Sequence, residues 1–400
     1  MRDHAHENLR RAKDRETKGH WLAKRFTSKG ILDAFFYENR VFLRQIWLWN
    51  FRNYEEISLS FERKITLFLA KNSQGKTNLL EAIYYLSSLS SPRCSRPQEM
   101  IRHGTSAFSI KGRVEDQAAE RDLTVYLGER EKGLWIGGKR VSHPSKYWSR
   151  FPAVMFTPDD LALIAEAHDL RRRFLDRCAA LEDHGHLQEV AKFRRILIQR
   201  NRLLKSRDTR QLPHWDEQFA SSWLGIYAGR SRIVSRLNEK LPSILRSLGG
   251  EQEATVRYRP ILAQEGEFPP SDLTVRLREN WEKEMRAGFS LFGPHRDEVV
   301  VELGGYDARR FSSRGEKRLL TLSFKLFETA HIEKARDEPP LVLLDDLFTE
   351  LDEERRTRVA LNLLAGGQAM VTCTDLSMIQ PLLPGAELYR IREGQAEKVA

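Results

Sequence analysis

Hydrophobic and polar positions form a regular strand pattern from residue 41 onward. Residues 41–50 are rich in aromatic and branched side chains, and residues 57–61 alternate apolar with polar positions, as a half-buried strand does. The apolar run 65–69 follows and leads directly into a polar loop. We expect the two early strands and this third one to share a mixed sheet, with the loop at the carboxyl end of a central strand.

The middle of the chain changes from strand to helix periodicity. Residues 107–141 hold three short alternating runs, the last of which is set off by glycine turns, and this predicts an antiparallel meander. Residues 160–250 predict long helices, and the segment 192–205 places apolar residues on one face and arginines on the other. Heptads are not sustained, so no long coiled coil is expected.

The last quarter of the chain returns to buried strands. Ser313 and Glu316 have the spacing of a capping box at the start of a helix over 317–336. Residues 341–344 form an apolar run that ends in Asp345 and Asp346, which is typical of a parallel strand covered on both faces. Residues 369–373 predict one more buried strand.

Composition narrows the class of protein. The 400 residues carry a formal net charge of +10, which favours a polyanionic partner such as nucleic acid. No apolar run is long enough to cross a membrane, and three scattered cysteines indicate neither a disulfide framework nor a zinc site. A cytoplasmic protein is expected. Residues 1–40 are polar and lack a signal peptide's apolar core, so they predict a weakly ordered extension, or translation beginning near Val41.

The polar loop after the third strand carries the chemistry of a phosphate-binding loop. Its candidate nucleotide-binding residues are Ala70, Lys71, Asn72, Ser73, Gln74, Gly75, Lys76 and Thr77. Backbone N–H groups of such a loop and of the following helix attract phosphate. Lys76 is expected to reach the β- and γ-phosphates of ATP, and the Thr77 hydroxyl to bind Mg²⁺. An aspartate after residues 341–344 is the second expected Mg²⁺ ligand.

Several motifs together resemble one family. They include Asn-Phe-Arg-Asn-Tyr at 50–54, the Gly-Lys-Thr segment at 75–83, Gly-Pro-His-Arg-Asp at 293–297, Ser-Arg-Gly at 313–315 and Leu-Leu-Asp-Asp at 343–346. Further matching segments are 156–161, 171–176 and 199–205. Lys76 and Asp345 are far apart in sequence, as in ABC-type heads of the SMC kind. The sequence resembles that class and, more closely, the RecF family of bacterial recombinational repair ATPases.

The resemblance implies a fold and its domains. The expected fold is α/β, a two-lobed ABC/SMC-type P-loop ATPase head with a helical second lobe and no long coiled coil. Residues 41–159 and 290–400 are expected to form lobe I, which carries the ATPase sheet. Residues 160–289 are expected to form the helical lobe II.

The resemblance also implies a site shared by two subunits. Ser313, Arg314 and Gly315 are expected to face the γ-phosphate of ATP that is bound to the other subunit of a homodimer. Asp345 is expected to bind Mg²⁺, and Lys76 and Asp346 to act in catalysis. Because Asp346 stands where most such heads have glutamate, slow hydrolysis is expected.

The family's partners are implied in the same way. The ATP-dependent dimer is expected to bind double-stranded and single-stranded DNA at gaps, and to act with RecR and RecO to load RecA. The candidates for DNA contact are Arg194, Arg195, Arg200 and Arg202.

Three departures from the family pattern keep alternatives open. Ala70 replaces the first glycine of the loop, which costs about 1 kcal/mol if that position needs a positive φ. Glu316 replaces the usual glutamine, and residues 166–168 replace a segment that usually contains glycine and proline. One alternative is a binding module with a degenerate ATPase, and another is a different ABC-type ATPase of defence or repair.

Overall fold

The computed structural model describes residues 41–116, 119–129, 131–142, 147, 151–166, 168–262, 273–364, 366–383 and 385–399. The predicted N-terminal extension at 1–40 lies outside these residues. In the part of the chain that the structure describes, no helix is both long and apolar enough to cross a membrane.

The strands follow in chain order. They are β1 (Phe42–Phe51), β2 (Tyr54–Ser60), β3 (Ile65–Leu69), β4 (Ala107–Glu115), β5 (Glu120–Gly128), β6 (Lys132–Ile136), β7 (Lys139–Arg140), β8 (Ala153–Phe156), β9 (Ala254–Arg259), β10 (Glu298–Leu303), β11 (Tyr306–Asp307), β12 (Leu341–Leu344), β13 (Ala369–Cys373), β14 (Glu387–Arg392) and β15 (Gln395–Lys398).

The helices are numbered in the same way. They are α1 (Lys76–Ser88), α2 (Ala162–Ala165), α3 (His168–Glu182), α4 (Gly185–Ser206), α5 (Leu212–Ser247), α6 (Leu273–Glu279), α7 (Trp281–Ala287), α8 (Ala308–Phe311), α9 (Arg314–Arg336) and α10 (Glu353–Leu364).

The chain divides into two compact units. The first combines the chain up to Thr157 with the chain from Asp337 onward, and the second is Pro158–Arg336. The second unit therefore reaches further along the chain than the insert predicted at 160–289. The reason is local packing, because β10 pairs antiparallel with β9 and α9 contacts α3 and α5, all of which belong to the second unit.

The first unit contains two six-stranded sheets. One is antiparallel in the order β2-β1-β4-β5-β6-β7, which contains the predicted meander. The other has the order β15-β14-β3-β13-β12-β8 and is parallel except for its edge strand β15. The expectation that the first two strands join β3 in one sheet is wrong, because β1 pairs on both edges with β2 and β4.

Helix α1 is buried along most of its length. Its apolar residues belong to a core cluster that also contains β1, β4 and β5 of the antiparallel sheet and β3, β12 and β13 of the parallel one. Ala82 and Ile83 of α1, for example, have no exposed surface. The helix that begins at the phosphate-binding loop is thus fixed by a shared core, which holds the loop in place.

The second unit is mainly helical. Phe193 of α4 packs with Phe219 and Trp223 of α5 in its core, and the small sheet β11-β10-β9 completes the unit. The described chain also forms two short helices, α6 and α7, which are separated at Asn280. Ala167 lies outside the described residues, so the altered turn predicted at 166–168 stays a prediction.

Arg200 lies inside the second unit, which removes it from the candidate DNA contacts. It is fully buried, with its guanidinium 2.7 Å from Asp216 and 2.7 Å from Glu284. Arg194, Arg195 and Arg202 of the same helix are exposed and stay candidates. A buried arginine with two carboxylate partners is a structural element, because removing it leaves buried charges uncompensated.

Candidate nucleotide-binding site

The phosphate-binding loop connects the carboxyl end of β3 to α1. Its positive φ angles, among the described residues, occur at Ser73 (64°) and Gly75 (109°). Ala70 does not share this conformation, and its amide donates to the Cys373 carbonyl of β13 at 3.1 Å. The first loop position therefore carries an alanine without the backbone strain that the sequence led us to consider.

Gly75 is the position where the loop requires glycine. A Cβ atom there would lie 2.6 Å from Asn53 Nδ2 and 2.9 Å from the Tyr54 hydroxyl oxygen. The Tyr54 hydroxyl donates to the Gly75 carbonyl at 2.9 Å. The turn between β1 and β2 thus lies directly against the loop, and it fixes the N-terminal end of α1.

Lys76 is held by a carboxylate. It is 4% exposed, and its Nζ lies 3.0 Å from Asp346 Oδ2 and 3.1 Å from Oδ1. A buried ammonium group needs an anionic partner, because its desolvation is otherwise uncompensated. In a phosphate-binding loop with nucleotide bound, the lysine instead contacts phosphate oxygens.

Thr77 and Asp345, the two residues expected to bind Mg²⁺, are hydrogen-bonded to each other. The Thr77 hydroxyl donates to Asp345 Oδ1 at 3.1 Å, and the Thr372 hydroxyl of β13 donates to the same oxygen at 2.9 Å. The Thr372 hydroxyl in turn accepts from the Asp346 amide at 2.8 Å. Burial raises the pKa of Asp345, against the opposing effect of the two hydroxyl donors.

This donor set fits Mg²⁺ bound together with a nucleotide. A hydroxyl and one carboxylate leave most of an octahedral shell to phosphate oxygens and water, which is how Mg²⁺ usually binds in such sites. A divalent cation also offsets the cost of burying the Asp345 charge. Within the described ranges, no cluster of three or more His, Cys, Asp or Glu side chains could hold a metal ion alone.

Strand order explains why these residues meet. β13 lies between β3 and β12, and all three run parallel, so their carboxyl ends share one edge of the sheet. The loop follows β3, the two aspartates follow β12, and Thr372 lies near the end of β13. Residues 268 positions apart, Thr77 and Asp345, are therefore hydrogen-bonded.

The structure adds a second group of residues to the site that the sequence did not indicate. Arg52, in the turn after β1, makes a two-point contact with Glu81 of α1 at 2.8 and 2.9 Å. Glu81 is fully buried and also lies 3.4 Å from Arg93. Arg93 donates to Asn78 at 2.7 Å. Arg52, Asn78 and Arg93 help to line a cavity of about 610 Å³. Its other lining residues are Asn53, Glu99, Ile101, Arg102 and His103.

The Ser-Arg-Gly turn belongs to the second unit. The predicted capping box is present: the Ser313 amide donates to Glu316 Oε2 at 2.7 Å, and the Glu316 amide donates to Ser313 Oγ at 3.3 Å. Gln252 donates to the other Glu316 oxygen at 2.8 Å. These hydrogen bonds lower the pKa of Glu316 and fix Ser313, Arg314 and Gly315 at the N-terminus of α9.

The structure therefore brings together some of the residues that the sequence predicts for the nucleotide site. Lys76, Thr77, Asp345 and Asp346 lie together in the first unit, and Thr372 joins them. Ser313, Arg314 and Gly315 lie on an element of the second unit. Their role toward ATP on another subunit stays a prediction.

Known proteins are similar to this chain over most of its length. A family model described as the RecF/RecN/SMC N terminal domain matches residues 42–398. A DNA replication and repair protein RecF from Trichlorobacter lovleyi is 32% identical over 363 residues, covering 89% of this chain and 98% of the relative. Another from Myxococcus xanthus is 35% identical over 343 residues, covering 83% and 90%.

Solved structures show the same fold. A recombination mediator protein RecF with ATP, of the RecFOR pathway, has a TM-score of 0.84 at 27% identity, covering 91% of this chain and 99% of that one. The Smc head domain from Pyrococcus furiosus has a TM-score of 0.52 at 15% identity, which is a likeness of fold alone. The predicted ABC/SMC-type head is confirmed, and the chain belongs to the RecF family.

Proposed function

We propose that this chain is an ATP-dependent DNA-binding protein of recombinational repair. The observation that carries the proposal is the geometry around Lys76, where a buried ammonium group and the Thr77–Asp345 pair lie at one sheet edge. That arrangement supports binding of a nucleoside triphosphate with Mg²⁺. Family membership supports DNA as the partner and repair as the process.

The loop and the two aspartates after β12 have distinct tasks in ATP binding and hydrolysis. Loop amides and the N-terminus of α1 bind the phosphates, and Lys76 transfers from Asp346 to the β- and γ-phosphates. Thr77 and Asp345 would hold Mg²⁺, which would neutralise charge that develops on the phosphates. Asp346, released from Lys76, orients the attacking water.

The same contacts support slow turnover. ATP has to displace Asp346 from Lys76 before Asp346 can act on water, so binding and catalysis are coupled to one rearrangement. Aspartate is also shorter than the glutamate that most related heads carry. We therefore assign ATP binding the role of switching the protein's conformation. Slow hydrolysis would reset this switch rather than drive a motor through repeated cycles.

The remaining steps rest on the family. ATP bound between Lys76 of one subunit and Ser313, Arg314 and Gly315 of another closes a homodimer. The closed dimer binds duplex and gapped DNA in the cytoplasm, and it acts with RecR and RecO to promote loading of RecA. Exposed arginines of α4, such as Arg194 and Arg195, are candidate phosphate contacts.

Fluorescence anisotropy with labelled gapped duplex DNA tests the proposal. Wild type is expected to bind DNA tightly with Mg²⁺ and ATP, and Lys76→Ala to lose that ATP-dependent binding. Lys139→Ala, which removes an exposed lysine of β7, is the matched control and should bind as wild type does. Absence of DNA binding by wild type with and without ATP would contradict the proposal.

The steady-state rate of ATP hydrolysis distinguishes a slow ATPase that acts as a switch from a module that binds ATP without hydrolysing it. A slow ATPase in wild type that disappears in Asp346→Asn supports a catalytic role for Asp346. Equal rates in the two proteins at or below background, with ATP binding intact, identify a module that binds ATP without turnover.

A further inference from the structure

Two aromatic side chains stand out on the surface of the second unit. Tyr306 is 66% exposed and Phe311 is 70% exposed, the highest values among the exposed large apolar side chains of the described residues. Their ring centroids are 5.9 Å apart in an edge-to-face arrangement. Single exposed apolar residues are common, but a pair in contact and open to water marks an interaction surface.

The segment that carries the pair is ordered by its own hydrogen bonds. Tyr306 follows the Gly304–Gly305 turn of the β10–β11 hairpin, where both glycines have positive φ angles. Asp307 caps α8 by accepting from the Arg309 amide at 2.9 Å. The rings are therefore presented by a hairpin and a capped turn, so their exposure is a built feature of the surface.

The charges around the pair are mainly positive. Residues 306–318 contain five lysines and arginines and two carboxylates, which gives the segment a net charge of +3. Ser313 follows Phe311 by two residues, so the aromatic pair and the start of α9 belong to one continuous stretch of chain. A ligand for this surface has to combine negative charge with an apolar or aromatic contact.

We infer that Tyr306 and Phe311 form an apolar seat for a second copy of this chain that carries a nucleotide. The inference rests on the proposed function, in which Ser313 faces ATP on the other subunit. Two chains with a formal charge of +10 each repel one another, and the cations beside the seat add to that repulsion. The phosphates of ATP bound to the second copy offset the positive charge beside the seat. The aromatic contact therefore forms only when the second copy carries ATP.

A twofold dimer contains the seat twice, once on each chain. Substitution of one aromatic residue in the chain therefore removes two contacts from the dimer. Buried aromatic residues at the centre of an interface often account for most of its affinity. We expect Phe311→Ala to weaken the ATP-dependent dimer by on the order of tenfold, and Tyr306→Ala with Phe311→Ala by roughly 100-fold.

Sedimentation velocity over a range of protein concentrations, with and without Mg²⁺ and ATP, measures this effect. Ile198→Ala is the matched control, since Ile198 is an apolar residue of α4 that is 53% exposed. Equilibrium dialysis with ATP on dilute monomer should give wild-type affinity for the double variant, because its phosphate-binding loop is intact. Thermal unfolding should be unchanged, as for most surface substitutions.

The outcomes separate this inference from the function on which it rests. If wild type does not dimerise with ATP, the proposed function fails. If wild type dimerises and the double variant dimerises equally well, the seat is refuted while the function stands. A double variant with a normal dimer and weaker DNA binding also refutes the seat, because the surface is then a DNA contact.

A charge variant tests the dependence on nucleotide. Arg309→Gln together with Arg310→Gln keeps the aromatic pair and lowers the local charge by two. We expect this variant to self-associate more strongly than wild type without nucleotide and to gain less from ATP. Unchanged association in both conditions would overturn the inferred role of the cations.

Discussion

Removing the charge of Asp346 should make ATP bind more tightly. Asp346→Asn keeps the size and shape of the side chain but deletes the anion that lies 3.0 Å from Lys76 Nζ. In wild type the phosphates compete with this carboxylate for the lysine. In the variant, the phosphates of ATP bind a buried Lys76 ammonium group that has lost its anionic partner.

The magnitude follows from the distance and burial of the pair. Two unit charges about 3 Å apart attract by roughly 5 kcal/mol at an effective dielectric constant of 20. Desolvation offsets most of that energy, and Asp346 is partly exposed, so we take a net value of about 1–2 kcal/mol. Since about 1.4 kcal/mol corresponds to a tenfold change in affinity, ATP should bind roughly 5- to 30-fold more tightly.

Isothermal titration calorimetry with Mg²⁺ and ATP measures the change directly. Asp375→Asn is the control, because Asp375 is an exposed aspartate just beyond β13 and accepts from the Ser377 amide. Hydrolysis should fall in Asp346→Asn even as affinity rises, since an amide cannot accept the proton of the attacking water. Equal or weaker ATP binding by the variant would refute the idea that Asp346 competes with phosphate.

Three further predictions test the loop and the stability of the second unit. Gly75→Ala should abolish ATP binding, because the φ angle of Gly75 is 109° and the new Cβ would clash with Asn53. Ala70→Gly, in contrast, should change the ATP dissociation constant by less than about threefold. Urea unfolding should show that Arg200→Ala lowers the free energy of unfolding by roughly 3–5 kcal/mol, and a wild-type value would contradict its structural role. Burial of Asp176 favours the neutral acid, but the ion pair with Arg230 outweighs it and lowers the pKa of Asp176 to about 2. Stability from this carboxylate is therefore complete above about pH 4 and is lost as pH falls toward 2, a slope that Asp176→Asn should reduce in acid unfolding.

Local patterns predicted most of the elements of the first unit and the antiparallel pairing of its meander, but not the sheet that β1 and β2 join. The alternation in β1 and β2 identifies both strands, yet the sheet they join depends on β4, which lies about fifty residues further along the chain. The same limit applies to the division of the chain. Nothing local shows that β10 pairs with β9 rather than with strands of the first unit.

Arg200 shows where a stricter use of periodicity would have helped. Phe193, Ile196 and Leu204 define the buried face of α4, and Arg200 lies on that face, four residues after Ile196. An arginine within an apolar stripe indicates a buried ion pair rather than a surface contact. Its partners, Asp216 and Glu284, lie too far along the chain to be identified from the sequence.

The candidate site was predictable where chemistry resides in short motifs. Lys76, Thr77, Asp345 and Asp346 follow from residue type and from their place after apolar strands. Thr372 was missed, although a threonine in an otherwise apolar strand is a usable signal for a polar neighbour. The contact of Arg52 with Glu81 joins two elements through the fold and leaves no local pattern.

The central claim is that ATP bound at Lys76 controls DNA binding. The most direct test is the ratio of dissociation constants for gapped duplex DNA without and with Mg²⁺ and ATP, measured for wild type and Lys76→Ala at one salt concentration. The account predicts a ratio of at least about tenfold for wild type, corresponding to 1.4 kcal/mol of coupling, and a ratio near one for the variant. A ratio near one for wild type, or an equal ratio for both proteins, would contradict it.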